Sequence, residues 1–185
     1  MSSSRRNGLG PATSTGPHPN PVPSVGGANC CGAPTPAGPI DQRPVEARND
    51  LLVYTSDFLE APLDVTGPVK VVLHASSDAP DVDFVAKLVD VYPDGKAYNM
   101  CEGVLRARHR ESVSRPRLLE PGRVYEFAID LLGTSVMFQP GHRIRVSVMS
   151  SHFPQFDRNP SGRAANQSVW ATRARPSHIV LPVIP

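Results

Sequence analysis

Prolines and glycines break the second part of this chain into short apolar runs, and this punctuation is the strongest constraint on its fold. No stretch of ten or more residues keeps a helical period without a Pro or a Gly. In 124–131 and 143–149 apolar residues alternate with other residues, as in a strand with one buried face. Further runs of strand type are 51–55, 69–75, 82–92, 96–108, 134–138, 165–170 and 178–183. The pattern predicts an all-β domain.

Turn signals fall between these runs, at Thr66-Gly67-Pro68, Tyr92-Pro93-Asp94-Gly95, Glu120-Pro121-Gly122 and Gln139-Pro140-Gly141. Roughly eight to ten strands with a turn about every eight to twelve residues are typical of a β-sandwich. The number of strands favours a jelly roll, although periodicity alone does not separate it from an immunoglobulin-like topology.

Composition divides the chain into two parts. Residues 1–48 contain nine of the 21 prolines, seven of the 14 glycines and none of the eleven aromatic residues. A segment with so few bulky apolar side chains gains little from burial against the entropy of ordering its backbone. We therefore predict an irregular, linker-like Pro/Gly-rich segment at 1–48 and a folded domain at 49–185.

Charge and cysteine content exclude several classes of function. Residues 49–185 carry fifteen basic and fifteen acidic side chains, and Glu111 interrupts the basic run at 106–117, so we expect a solvated strand and turn there and no nucleic-acid partner. The three cysteines form no disulfide framework or zinc motif, and the role of Cys30-Cys31 stays open. No apolar run has the length of a membrane span. The expectation is a soluble, cytoplasmic protein.

The motifs of hydrolytic and metal chemistry are not found in the sequence. The nearest approach to a Gly-x-Ser-x-Gly nucleophile elbow, 133–137, lacks the closing glycine and lies between two predicted strands. Asp78, Asp81 and Asp83 resemble a calcium cluster, but the remaining ligands and the glycine of such a loop are missing, so a turn is the better interpretation. We therefore assign no catalytic, cofactor-binding or metal-binding residue.

Long strings of the sequence resemble the C-terminal domain of the X-prolyl dipeptidyl-peptidase and cocaine esterase family of serine hydrolases. The strings occupy 41–56 (DQRPVEARNDLLVYTS), 65–112, 118–160 and 175–185 (RPSHIVLPVIP). The resemblance implies a jelly-roll, galactose-binding-like sandwich that packs against an α/β-hydrolase domain. That partner domain carries the Ser-His-Asp triad, so no triad residue can be assigned to this chain. The implied function is an accessory one, buttressing the catalytic domain of an ester or X-Pro peptide hydrolase.

The same resemblance implies an interface between the two domains. It lies around the loops SSDAPDVDF (76–84) and SSHFPQFDRNP (150–160), and we predict an apolar patch rimmed by charge. The candidate interface residues are Asp78, Asp81, Phe153, Phe156 and Arg158. Alternatively, the two phenylalanines fold back over the core as a lid.

A second function, from another class, is a free-standing carbohydrate- or ligand-binding module. Sugar-binding sandwiches use exposed aromatic rings for stacking. The candidates here are Trp170, Phe153, Phe156 and Tyr98.

Overall fold

The computed structural model describes residues 2–3, 12–16, 22–27, 37–160 and 164–185. The strands are β1 (Ser2–Ser3), β2 (Ala12–Gly16), β3 (Leu51–Thr55), β4 (Leu63–Ser77), β5 (Asp83–Val91), β6 (Ala97–Arg106), β7 (Tyr125–Phe138), β8 (Arg143–Met149), β9 (Ala165–Thr172), β10 (Arg175–Pro176), β11 (His178–Val180) and β12 (Val183–Ile184). In the residues that the structure describes, helices are limited to α1 (Arg43–Glu46) and a 3₁₀ turn (Ala107–His109). Within the described ranges, no helix has the length and apolar character needed to cross a membrane.

The strands form two sheets whose pairings are antiparallel. The first sheet has the order β1-β3-β8-β5-β6. The second sheet is built around the long β4, which pairs with β9 and with β7, β11 and β12, while β2 and β10 pair with β9. The all-β sandwich predicted from periodicity and from the family resemblance is therefore confirmed.

The core lies between the sheets and follows the alternation seen in the sequence. Phe127, Ile129 and Leu131 of β7 are fully buried, and the residues between them are exposed. Phe127 packs against Phe84 of β5 with ring centroids 4.6 Å apart. In β5 all nine residues are buried, because this strand is covered on both faces.

The two sheets meet closely along one side. A Cβ atom on Gly103 of β6 would lie 1.9 Å from the carbonyl oxygen of Asp130 on β7, so only glycine permits this approach. On another side a cleft of about 340 Å³ opens between the sheets, with Tyr54 and Val146 on one wall and Leu73 and Ile179 on the other. Burial raises the pKa of Tyr54 to about 12.

One predicted turn is wrong. Thr66-Gly67-Pro68 lies inside β4, and the runs 124–131 and 134–138 belong to one strand, β7. The register of the β4–β7 pair shifts between Pro68 and Lys70, and Gly67 and Leu132 have positive φ angles of 134° and 63°. The turn-forming residues therefore make a bulge within a long antiparallel pair of strands and do not end the strand.

Part of the segment interpreted as a linker is packed. Val22, Ser24, Gln42 and Val45 are each at most 5% exposed and lie on the outer face of the first sheet. Residues 22–27 and 37–48 are therefore packed on this sheet, through hydrogen-bonded polar side chains and a small apolar cluster that includes Val22 and Val45. The division of the chain at 48/49 stays a prediction. Cys30-Cys31 and much of 1–21 lie outside the described residues.

Candidate docking interface

Three loops lie side by side at one end of the sandwich, which we call the loop end: 77–82, 110–124 and 150–160. Backbone hydrogen bonds join the first two, since the N–H of Leu119 donates to the carbonyl of Pro80 at 2.7 Å and that of Gly122 to Ser77 at 2.7 Å. The loop 150–160 reaches the first loop through Asn159, whose side-chain N–H groups donate to Asp81 at 3.4 Å and to Asp83 at 2.8 Å. The two loops that the resemblance singled out are thus brought together, and the loop 110–124 is bonded to the first of them.

One ion pair and one hydrogen bond hold the loop 150–160 to the first sheet. Arg106 of β6 bonds to Asp83 at 2.9 Å and to Asp157 at 3.2 Å, and Asn159 donates to Asp83 at 2.8 Å. The hydrogen bond to Asp83 raises the pKa of Arg106 above its usual value. Asp83 is buried, so the Arg106–Asp83 pair loses little strength to solvent screening.

Several basic side chains of the run 106–117 interact with other residues of the domain. Arg110 is nearly buried, donates to the carbonyl oxygens of Ala107 and Arg117, and stacks on the Tyr125 ring at 4.5 Å. Arg108 lies 3.7 Å from Asp81. The interpretation of this run as a solvated strand and turn therefore fits its exposed end at Arg115 and Arg117 but not Arg106 and Arg110.

The predicted interface residues have different environments. Phe153 is 43% exposed and Arg158 is exposed, whereas the half-buried Phe156 packs against His152 with centroids 5.8 Å apart. Phe153 is thus the more exposed of the two rings and Phe156 is partly covered, and their role in an interface stays a prediction.

The two acidic candidates are already bonded inside the domain. Asp81 is 4% exposed and accepts from the backbone N–H of Arg108 at 3.0 Å, so its carboxylate does not belong to an exposed rim. Asp78 is exposed, and both of its oxygens accept hydrogen bonds from Asn166 at 2.9 Å. Asp157, which is 80% exposed at its side chain, supplies negative charge beside Arg106.

Sequence reasoning missed two apolar residues of the loop end. Val113 is 84% exposed and Leu118 is 62% exposed, and both lie on the loop 110–124. The available signal was an apolar side chain within a loop otherwise rich in Arg, Ser and Pro. Val113, Leu118 and Phe153 are the exposed large apolar side chains of the loop end, and Arg115, Arg117 and Arg158 of the same loops are exposed as well.

Beneath the loop 150–160 lies a buried polar cluster that the sequence analysis also missed. Lys87 is 1% exposed and donates to Gln42 at 2.8 Å, and burial lowers its pKa to about 8. Glu46 accepts from Arg145 at 2.5 Å and from Ser147 at 2.7 Å. A lysine in the middle of the apolar run 82–92 was the signal that this face is covered.

His152 is part of the same buried region and is the residue before Phe153. It is 1% exposed, and burial together with the charge of Lys87 lowers its pKa to about 3. The imidazole is therefore neutral at physiological pH.

The groups that could serve hydrolysis do not form a triad. Ser135 lies on β7, and its hydroxyl is 3.1 Å from that of Thr66. His142 Nδ1 is 2.9 Å from Asp90, but both residues are buried, and no serine hydroxyl bonds to this imidazole in the described ranges. Among those residues no group of three or more His, Cys, Asp or Glu side chains could hold a metal ion.

Two of the aromatic rings proposed for sugar stacking pack against other side chains of the domain. The Arg175 guanidinium lies over the half-buried Trp170 at 5.4 Å, and Tyr98 packs edge-on against Tyr92 at 5.1 Å. This arrangement disfavours a carbohydrate-binding platform on these rings.

Fold and site together define an antiparallel β-sandwich of accessory type with one exposed, partly apolar end. The family model described as the X-Pro dipeptidyl-peptidase C-terminal non-catalytic domain matches residues 9–179. The chain belongs to this family.

Similar proteins are esterases and peptidases of much greater length. Cocaine esterase of Rhodococcus sp. (strain MB1 Bresler) is 46% identical over 177 residues, which covers 89% of this chain and 31% of the esterase. An α-amino acid ester hydrolase structure superposes with a TM-score of 0.85 at 32% identity, covering 96% of this chain and 33% of that one. An aminopeptidase from a marine sediment Thaumarchaeota archaeon gives a TM-score of 0.75 at 36% identity, covering 78% and 27%. The chain thus spans about a third of the length of these relatives.

Proposed function

We propose that this domain docks through its loop end onto the α/β-hydrolase catalytic domain of an acyl hydrolase of the X-Pro dipeptidyl-peptidase and cocaine esterase type. It supports that domain and has no triad of its own. The observation that carries the proposal is the 43% exposed Phe153 on a loop that the Arg106–Asp157 ion pair and the Asn159–Asp83 hydrogen bond hold to the sandwich. The family match and the greater length of the relatives support a partner of this class.

The loop end has the properties of a docking surface. Its exposed apolar residues Phe153, Val113 and Leu118 lie among arginines, and a surface of this kind on a soluble domain marks an interaction site. Because Arg106 bonds to Asp157 and Asn159 bonds to Asp83, the loop 150–160 is already held in place, and docking costs little additional entropy for ordering it. We expect Phe153 to be the anchor of the interface.

The proposal places the chemistry in the partner domain. Ester or X-Pro peptide hydrolysis needs a nucleophile, a base within hydrogen-bond reach and an orienting carboxylate. The choice between those substrates then belongs to the partner. The cytoplasmic location stays a prediction.

The test uses a chimera in which this chain replaces the aligned part of the Rhodococcus cocaine esterase. We expect an active esterase whose half-life at an elevated temperature shortens at least fivefold with Phe153→Asp. The matched control is Phe58→Asp, because Phe58 is also an exposed phenylalanine, at 62%. Phe58 packs under Arg143, the first residue of β8, whereas the loop 150–160 follows the last residue of β8, so the two phenylalanines lie at opposite ends of this strand.

Two results would refute the proposal. One is a chimera whose half-life is the same with Phe153→Asp as without it. The other is an equal shortening by Phe58→Asp, which would show that any charged substitution on the domain has this effect.

A further inference from the structure

A segment from the first part of the chain is hydrogen-bonded to the loop 150–160. Residues 22–27, which we call the strap, run across the outer face of the first sheet and reach the loop 150–160. Val22 donates its N–H to Ser151 Oγ at 2.8 Å and accepts from the N–H of Phe153 at 3.0 Å. Ser24 donates to the carbonyl of Phe153 at 2.7 Å. Both backbone groups of the proposed anchor are thus bonded to the strap.

A second connection runs through a side chain of the first sheet. Glu102 of β6 is 5% exposed, and its Oε1 accepts from Gln155 Nε2 at 3.0 Å. A Cβ atom built on Gly27 would lie 1.8 Å from the same Oε1. The strap and the loop 150–160 therefore lie against one carboxylate, and a side chain at position 27 would have to displace it.

The strap is itself held by the polar cluster. Gln42 donates to the carbonyl of Val25 at 2.9 Å and accepts from Lys87 at 2.8 Å. Ser24 and Val22 are at most 2% exposed. A displacement of the strap consequently breaks contacts to the loop and to the cluster at once.

We propose that the strap is a positioning element that sets the place of Phe153, so that the path of the chain entering the domain controls the docking surface. This inference rests on the proposed function for the meaning of that surface, but the link between strap and loop can be tested without it. Gly27 and Ser24 are positioning residues, since they act through the loop and not on a partner.

Two glycines provide a matched pair of variants. Gly27 and Gly38 form an antiparallel bridge with hydrogen bonds of 2.8 and 3.0 Å, and their φ angles are +77° and +91°. Alanine meets similar backbone strain at both positions. Only at Gly27 does the methyl group meet Glu102, because no residue that the structure describes lies within 4 Å of a Cβ atom on Gly38.

Hydrogen exchange of the isolated chain measures the link directly. We expect Gly27→Ala to speed exchange of the Phe153 and Phe156 amides at least tenfold relative to Gly38→Ala, while the Phe127 amide of β7 is unchanged. Equal exchange at Phe153 in the two variants would overturn the proposal. An equally large increase in the exchange rate of the Phe127 amide would also overturn it, since the strap would then stabilise the whole fold and would not specifically position Phe153.

A second variant covers the case in which Gly27→Ala does not fold. Ser151→Ala removes the acceptor of the Val22 N–H, and we expect about threefold faster exchange at Phe153 with no change at Phe127. An unchanged Phe153 amide would overturn the proposal.

The chimera with cocaine esterase separates the two proposals. If Gly27→Ala shortens its half-life and Gly38→Ala does not, the strap acts on docking. If Phe153→Asp has no effect in the chimera while the exchange result holds, the docking function fails and the strap still positions the loop.

Discussion

The outer faces of the two sheets carry the same kind of residue in opposite surroundings. Lys87 on β5 of the first sheet is 1% exposed beneath the strap and the segment 37–50. Lys70 on β4 of the second sheet is exposed and lies opposite Asp130 of β7. One face is a second, polar interior and the other is an ordinary solvated surface.

The difference shows how a chain with few bulky residues in its first part can still be held in place. On the first face, hydrogen bonds among Gln42, Lys87, Glu46 and Ser147 join the incoming segment to the sheet. Such buried polar groups are costly when a partner is lost. Substitutions on the first face should therefore be severe, and equivalent ones on the second face mild.

The largest effect is expected from Lys87→Glu. A carboxylate at this position would be buried beside Glu46 and Glu102, whose charges act on Lys87, and we expect a loss of about 4 kcal/mol in the free energy of unfolding. Urea denaturation provides the measurement.

Lys70→Glu is the matched control and should change stability by about 0.5 kcal/mol, because exposed charges are screened. Similar losses for the two variants would mean that the two faces do not differ as described.

A smaller effect is expected from His152 in acid. Its pKa is about 3 in the folded protein against 6.5 in the unfolded chain, so the unfolded chain binds more protons between these values and stability falls as the pH falls. We expect about 3 kcal/mol to be lost between pH 6.5 and pH 4. In His152→Gln this part of the loss disappears, which thermal unfolding across that range measures. His178→Gln, at an exposed position of the second sheet, is the matched control.

Lys87 should give an alkaline counterpart. Its pKa is about 8 in the folded protein against 10.5 in the unfolded chain, so the unfolded chain binds more protons between these values and stability rises with pH. Relative to Lys87→Met, the wild type should gain about 2 kcal/mol from pH 8 to pH 10. If the difference in the free energy of unfolding between the wild type and Lys87→Met stays constant from pH 8 to pH 10, the expected effect of burying Lys87 is contradicted. Lys70→Met is the control and should follow the wild type.

The smallest effect is expected at the edge of the second sheet. Leu132 is 64% exposed with φ at 63°, a conformation that costs a leucine about 1 kcal/mol or more. Leu132→Gly removes that cost but adds chain entropy to the unfolded state, so we expect a net gain below about 1 kcal/mol. Leu118→Gly, at 62% exposure and without positive φ, should instead lose stability.

The sequence predicted the parts of the fold in which one face of a strand is buried. The run 51–55 became β3 with the same bounds, and the turns at 92–95 and 139–141 join the expected strands. Alternation along 125–131 matches the burial of β7 residue by residue. In these regions local pattern and tertiary environment agree.

Prediction failed where distant segments supply the environment. Asp81 was expected at an exposed rim, but the backbone of Arg108 turns its carboxylate inward. The packing of Val22 and Ser24 depends on a loop about 130 residues further along the chain, which no local composition reveals. Of the candidate interface, the sequence and its resemblance indicated the two loops, and the third loop with Val113 and Leu118 required the structure.

The distance along the chain between strap and loop has a consequence for the order of folding. Val22 and Ser151 are separated by 129 residues, and the strap rests on a sheet whose central strand β8 ends at Met149. During synthesis, residues 22–27 leave the ribosome long before the surface that receives them exists. Such long-range contacts form late, because the loop they close must be ordered first. The strap is therefore expected to be among the last parts of the domain to fold, and a nascent chain stalled before residue 149 would leave it without its site.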